Sequence, residues 1–369
     1  MRALMLSKAL VVGAYQRKAE CIAAEPGVEL TVAVPPVWRG DGSALHLTRD
    51  HVEGYTLVET PIRFPSSFHL HHYPRFEELL DAVQPELLHI DEEAYNLATR
   101  QAVRAARKRE IRCLFFTWQN LQRSYPPPFG GWEREVFRLA DGAIAGTATA
   151  AEVLRAKGYQ GPLWTIPQFG VDPQIFHPPE GGRTMTAGEL VVGYAGRLVP
   201  EKGVDLLVRA MRGLPGGVRL EIVGSGPERK RLIRQSETLR VAHRVNFRRA
   251  LPSTEMPAFY RDVDCVVLPS RSTSSWTEQF GRVLIEGMAS GAVAVGADSG
   301  EIGRVIGDAG RLFPEEDVAQ LRGMLAHLAN DLRLRESLSK AGLARVHEHF
   351  TMQRVAQETV AAWQALLEG

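Results

Sequence analysis

The stretch ELVVGYAGRLVPEKGVDLLVRAM, residues 189–211, decides the fold. Leu190–Tyr194 is a short, continuous apolar run, the mark of a strand buried on both faces of a parallel sheet. The run breaks into Gly196-Arg197-Leu198-Val199-Pro200-Glu201-Lys202-Gly203 and continues over Gly203–Met211 with helical spacing. Strand, glycine loop and helix, in that order, are the unit of a doubly wound α/β domain. Gly196 and Gly203 allow a tight loop with close backbone approach. The helix start offers unpaired N–H groups to an anion, and Arg197 and Lys202 add a guanidinium fork and a point charge. This is the chemistry of a phosphate site. Taken alone, the segment reads equally well as a capped loop with two solvated cations.

The same alternation runs outward in both directions. Downstream, strands are predicted at Val218–Val223, Arg244–Phe247, Asp264–Leu268 and Ala292–Gly296. Helices are predicted at Glu228–Leu239, Thr254–Arg261 and Gly281–Ser290, and the pattern is helical after Pro314. Upstream, strands are predicted at Ala3–Leu6, Glu29–Val34, Glu86–Ile90, Ile111–Phe116 and Gly142–Ala145, with helices at Arg75–Val83, Glu93–Arg109 and Thr147–Lys157. Between the two series, Pro167 to Gly188 is dense in proline and glycine, the strongest linker signal in the chain. The pattern predicts two similar α/β domains, residues 1–167 and 189–351, joined by a linker at 168–188. Residues 352–369 are expected to pack back on the first domain. Ligands in such sheets sit beyond the carboxyl ends of the strands, and two facing sheets enclose a cleft.

Composition agrees with this class. The chain has 369 residues, room for two domains, and its 44% hydrophobic and 24% charged residues exclude disorder over most of it. The 44 Lys+Arg and 43 Asp+Glu leave a net charge of +1, which gives no reason to expect nucleic acid as partner. Cys21, Cys113 and Cys265 lie far apart, which excludes a disulfide scaffold and suggests a reducing compartment, so a cytoplasmic protein is expected. No run of 18 apolar residues is present. The opening MRALMLSKALVVGAYQ is interrupted by Ser7 and Lys8 and reads as a first strand and its loop.

Two further motifs follow in the second half. Glu278-Gln279-Phe280-Gly281-Arg282-Val283-Leu284-Ile285-Glu286 places carboxylates at the start and on the second turn of an otherwise apolar helix. A carboxylate there needs partners, and sugar hydroxyls can supply them. Either glutamate alone reads more simply as charge compensation at a helix start or as a satisfied core acid. Val223-Gly224-Ser225-Gly226-Pro227 is a glycine turn, but Arg229 stands where a dinucleotide fingerprint needs its third glycine. That weighs against a nicotinamide enzyme.

Taken together, these segments resemble the retaining glycosyltransferases of family 4, with the GT-B fold. Gly170-Val171-Asp172 with Phe176 and Pro178, and Leu268-Pro269-Ser270, match as well. The resemblance implies two facing doubly wound Rossmann-like domains. It implies that Arg197 and Lys202 hold the donor's diphosphate and that Glu286 binds ribose hydroxyls. It also implies that Glu278 contacts the transferred sugar, with the amides of Gln279, Phe280 and Gly281 near sugar and phosphate. The base would lie near Gly226 and the loop Arg249–Leu251. Gly291-Ala292-Val293 and Gly303 depart from the family pattern, which often has proline there.

The first domain is less explicit. Leu88-His89-Ile90-Asp91-Glu92-Glu93 closes a strand and opens a helix, so His89, Asp91 or Glu92 could reach the cleft, or the acids could simply suit a helix start. The family often has a histidine where Asp91 stands; Asp91 is taken as the acceptor-side candidate. Gly13 resembles the glycine bordering the diphosphate, and Thr117-Trp118-Gln119-Asn120 either line the acceptor or form a structural turn. His69, His71 and His72 read as packing rather than metal-binding residues. Arg100, Arg104, Arg107, Lys108 and Arg109 suit a solvated helix face first, and peripheral contact with an anionic membrane second.

The reading is a nucleotide-sugar-dependent glycosyltransferase. It is expected to need no metal, since no Asp-x-Asp pair stands at a strand end, and no cofactor beyond the nucleotide sugar. The acceptor is a glycan, a lipid-linked species or a small molecule. A nucleotide-sugar epimerase of the same fold and a non-catalytic sugar-binding protein remain alternatives.

Overall fold

Seven parallel strands and six parallel strands form two separate sheets. The computed structural model describes residues 1–40 and 44–369. It divides into one unit of Met1–Gly170 with Met352–Gly369 and another of Val171–Thr351.

The first unit contains β1 (Arg2–Leu6), β2 (Glu29–Val34), the short antiparallel pair β3 (Val37–Arg39) and β4 (Ala44–His46), β5 (Thr56–Glu59), β6 (Leu87–Ile90), β7 (Arg112–Thr117), β8 (Gly142–Ala145) and β9 (Leu163–Thr165). Its sheet runs β5-β2-β1-β6-β7-β8-β9. The helices are α1 (Arg17–Ala23), α2 (Phe76–Val83), α3 (Leu97–Lys108), α4 (Phe129–Leu139) and α5 (Ala148–Ala156), with α13 (Met352–Glu368) in the same unit. Strand alternation sorts the core into two faces. Ala3, Met5, Val32, Leu114 and Phe116 pack under Ala19 and Ile22 of α1 and Val355, Val360 and Trp363 of α13. Leu4, Leu6, Leu88, Ile90 and Phe115 pack under Phe76 and Leu80 of α2 and the alanines of α3.

The second unit contains β10 (Glu189–Ala195), β11 (Gly217–Val223), β12 (Val245–Arg248), β13 (Cys265–Leu268), β14 (Val293–Ala297) and β15 (Gly310–Phe313), ordered β12-β11-β10-β13-β14-β15. Its helices are α6 (Val204–Ala210), α7 (Arg229–Thr238), α8 (Met256–Asp262), α9 (Arg282–Ala289), α10 (Ile302–Ile306), α11 (Val318–Asn330) and α12 (Leu332–His349). Sequence order reverses beside β1 in one sheet and beside β10 in the other, so each sheet has a switch point where adjacent loops diverge.

Several elements differ from expectation. Helix α3 begins at Leu97, not Glu93, because Glu93 accepts hydrogen bonds from Thr117 Oγ1 and the Trp118 amide and stays outside the helix. Helix α9 begins at Arg282, because Gly281 has φ +82 and breaks the turn; Glu278 therefore lies in the preceding loop. The alternation missed α1, α4, α10, β5, β9, β15 and the β3–β4 pair. Helix α4 carries Gly130 and Gly131 after three prolines, and β5 and β9 are short and only partly buried.

The basic face of α3 is engaged with neighbouring acids. Arg100 and Arg104 pair with Glu135 of α4, Arg107 with Asp141, and Arg109 with Asp81 and Glu77. Lys108 stands 3.6 Å from Glu77. This is an ion-paired, solvated face. Among the described residues, no helix is long and apolar enough to cross a membrane.

Two histidines in the first unit are fully enclosed. Burial pushes His89, against Trp363, down to about 3, and burial with Lys8 nearby does the same for His71. Unfolded histidine titrates near 6.5. The unfolded chain therefore binds more protons than the folded one between about pH 6.5 and 3. Stability is then lost as pH falls through that window, by up to about 1.4 kcal/mol per pH unit for each histidine. Denaturation midpoints at pH 7, 6 and 5 should fall progressively, and less steeply in His89→Gln. A flat profile would contradict the enclosed, neutral state.

Candidate active site

In the first unit, β1 and β6 are neighbours, with Met5 opposite His89 and Leu6 opposite Ile90. Their carboxyl ends deliver Ser7 and Lys8 beside Asp91 and Glu92. Ser7 Oγ donates to Asp91 Oδ2 at 2.6 Å, and Lys8 Nζ pairs with Glu92 Oε2. Lys8, Asp91 and Glu92 line a cavity of about 310 Å³ with Tyr15, Trp38, Phe68, Phe116 and Trp118. Lys8 Nζ lies 4.7 Å from the Phe68 ring centre and 5.3 Å from that of Trp38. Burial lowers Lys8 to about 8, partly opposed by Glu93 and Asp91. Burial raises the Glu93 carboxyl, while its bonds from Thr117 and Trp118 pull the other way.

Asp91 is 4% exposed, and its Oδ1 has no hydrogen-bond partner among the described residues. Trp118 lines the same cavity and donates from Nε1 to Gln168 Oε1 at 2.7 Å. His89 does not reach the cavity. The pleat turns its side chain onto the face covered by α13, where Nδ1 accepts a bond from Trp363 Nε1 at 3.1 Å. The Gly13 N–H donates to Thr48 Oγ1 at 2.8 Å. His71 Nε2 faces Glu92 at 3.4 Å. No group of three metal-ligating side chains gathers among the described residues.

In the second unit, β10 lies between β11 and β13. Residues leaving these strands frame a second cavity of about 310 Å³, lined by Gly196 and Arg197, Gly224 and Ser225, Ala250 and Leu251, and Tyr260 and Glu286 among others. Gly224 is required there, since a Cβ would sit 1.9 Å from the Gly196 carbonyl oxygen. Gly226 lies against the Leu198 backbone. Glu286 is 7% exposed. Tyr260 Oη donates to its Oε2 at 2.8 Å, and Arg282 Nε to its Oε1 at 2.7 Å. Burial, then the adjacent carboxylate, raises the Tyr260 hydroxyl well above its usual range and keeps it a donor. A carboxylate has about four acceptor positions, so two remain for a ligand.

Glu278 and Lys202 lie in the loops that follow the carboxyl ends of β13 and β10. Lys202 Nζ donates to Glu278 Oε2 at 2.6 Å, and Ser270 Oγ donates to the same oxygen at 2.7 Å. Lys202 also stands 4.8 Å from the centre of the Trp276 ring. Glu278 is 7% exposed, so this is a largely buried ion pair. Sequence reasoning had set Lys202 beside Arg197; the structure pairs it with Glu278 and leaves Arg197 more exposed, 3.9 Å from Glu201. Gln279, Phe280 and Gly281 form the approach to α9; Phe280 is buried against Phe350. Sequence reasoning also missed Tyr260, Arg282, Ser270 and Lys8. Arg282 was legible as the i−4 neighbour of Glu286, and Ser7-Lys8 as the residues leaving the first strand.

Residues 184–345 match the family described as Glycosyl transferases group 1. A D-inositol 3-phosphate glycosyltransferase of Segniliparus rotundus is 33% identical over 54% of this chain and 46% of its own length. The lipopolysaccharide core biosynthesis mannosyltransferase LpcC of Rhizobium leguminosarum is 30% identical over 55% of this chain and 60% of its own. The chain thus spans about half the length of these relatives. Among solved structures, sucrose-phosphate synthase from Thermosynechococcus elongatus superposes with a TM-score of 0.74 at 20% identity, covering 100% of this chain and 99% of that one. Anabaena HepE in complex with UDP gives 0.73 at 17% identity, covering 99% and 100%. Residues 184–345 are thus similar to the group 1 glycosyl transferases, and the two Rossmann-like units share the GT-B fold of these neighbours.

Proposed function

We propose that this protein is a glycosyltransferase that moves a sugar from a nucleoside diphosphate sugar to an acceptor hydroxyl, with retention at the anomeric carbon and without a metal. The observation that carries the reading is the set of charges at the β10–β13 switch point. Arg197 and Glu286 share one cavity, and Lys202 holds Glu278 in the adjacent loops. The UDP bound by HepE supports a nucleoside diphosphate ligand of this kind.

In this reading the base lies against Ala250, Leu251 and Gly226, and Glu286 accepts bonds from the ribose hydroxyls. Tyr260 and Arg282 orient that carboxylate. Arg197 and Lys202 stabilise the departing diphosphate, with the amides of Gln279, Phe280 and Gly281 near sugar and phosphate. Glu278 contacts the transferred sugar and positions Lys202. Fixed positive charge of this kind acts on the charge that develops in the transition state. The acceptor occupies the first unit's cavity, whose aromatic faces and carboxylates suit a hydroxyl-rich ring of a glycan, lipid-linked or small-molecule acceptor. Asp91 Oδ1 accepts from its hydroxyl. The cytoplasm is the expected compartment.

Arg197→Ala and Lys202→Ala should each lower turnover on the order of 100-fold or more. Wild-type rates in either variant would remove the phosphate assignment. The two glutamates should separate. Charge-assisted hydrogen bonds contribute about 1.5–3 kcal/mol, so Glu286→Ala should weaken free nucleoside diphosphate binding about 10- to 100-fold by calorimetry. Glu278→Gln, which keeps an acceptor for Lys202 Nζ, should leave that affinity nearly unchanged while turnover collapses. Because Glu278 is a buried partner of Lys202, unfolding midpoints must be compared alongside. Turnover should also survive excess EDTA; loss restored by Mg²⁺ or Mn²⁺ would overturn metal independence.

A further inference from the structure

At the amino-terminal edge of the second sheet, opposite the strand ends that carry Arg197 and Glu286, lies a separate cavity of about 410 Å³. It is bounded by the starts of β10 and β11 and by the turn before β13. Four arginines line it, Arg183, Arg219, Arg261 and Arg335, against the acids Glu189, Asp262 and Asp264.

Arg335 is enclosed and Arg183 is partly buried, and both are incompletely bonded. Arg335 is 1% exposed; its Nη atoms donate to the Glu189 and Thr186 carbonyls at 3.0 and 2.8 Å. Arg183 Nη2 donates to the Tyr260 and Ser290 carbonyls at 3.2 and 3.3 Å. The Nε atoms of both are buried with no partner among the described residues. A guanidinium offers five donors and accepts nothing, so a buried Nε–H without an acceptor is costly. Asp264 does not supply one: its Oδ2 takes the Val191 N–H at 2.7 Å and stands 3.9 Å from Arg335. Arg219 and Arg261 form no ion pair among the described residues, and Arg219 is exposed at the rim. Burial disfavours the charge on Arg183, which a bound anion would offset.

We propose that this cavity binds a phosphate-type oxyanion, held by the Nε–H groups of Arg183 and Arg335 and screened by Arg219 and Arg261. Forked guanidinium donors match tetrahedral oxyanions, and a cavity of this size admits either free phosphate or a small phosphate monoester. The site is independent of the proposed transfer chemistry, since it shares no lining residue with the Glu286 cavity.

The test is calorimetric titration of the full chain with inorganic phosphate and, in a second arm, glycerol 3-phosphate, against sodium chloride at matched ionic strength. Saturable binding is expected in at least one arm; both arms would mean that the phosphate group alone is recognised. Arg219→Gln and Arg261→Gln, which leave Arg183 and Arg335 in place, should weaken it about tenfold each. Arg183→Lys keeps the charge, removes Nε and should weaken it likewise. In Arg197→Ala the binding that Arg219→Gln and Arg261→Gln weaken should persist. The proposal fails if neither phosphate compound binds saturably, if sodium chloride reproduces the heat, or if the Gln variants bind as wild type. Loss in Arg197→Ala with retention in the Gln variants would place the anion at the glycine loop and overturn it too.

Discussion

A parallel sheet forces every strand to begin at one edge and end at the other, so each unit has a single edge where all the outgoing loops gather. Where strand order reverses, the loops diverge and leave a gap. In the first unit, that gap lies between β1 and β6 and receives Ser7, Lys8, Asp91 and Glu92. In the second, it lies beside β10 and receives Gly196, Arg197, Gly224 and Glu286. At both edges the polar groups that converge come from loops leaving neighbouring strands.

The two edges are furnished differently. In the second unit two buried glutamates are each held by a cation and a hydroxyl: Glu278 by Lys202 and Ser270, Glu286 by Arg282 and Tyr260. Such clamps fix carboxylate geometry before a ligand arrives, as recognition of a few defined hydroxyls requires. In the first unit three consecutive acids meet one lysine, and aromatic rings supply most of the wall. One edge therefore suits an anionic ligand with defined polar contacts. The other suits a neutral, hydroxyl-bearing one that can lie against rings.

The amino-terminal edge of the second sheet is not inert. Arg335 holds the end of the Pro- and Gly-rich segment through the carbonyls of Thr186 and Glu189, and Arg183, within that segment, donates to the carbonyls of Tyr260 and Ser290. This use of arginine leaves both Nε–H groups buried without a partner among the described residues. Arg183 also grips the carbonyl of Tyr260, whose hydroxyl holds Glu286, so the two ends of the sheet share a structural member.

The sequence alone determined the two α/β series, the break between them, the glycine loops and the identity of most charged residues at the strand ends. Those features are local: apolar runs, turn residues and spacing act within a dozen positions. What it could not determine were the partners. Lys202 meets Glu278 across 76 residues, Tyr260 meets Glu286 across 26, and Trp363 turns His89 into the core across 274. Nor could it show that Gly281 would end the helix short of Glu278, or that the cations of α3 would be paired by α4 and its neighbours. An apolar pattern specifies which side of a strand is buried, but not which helix buries it. Strand order and helix packing, properties of the whole chain, place each charge beside its partner.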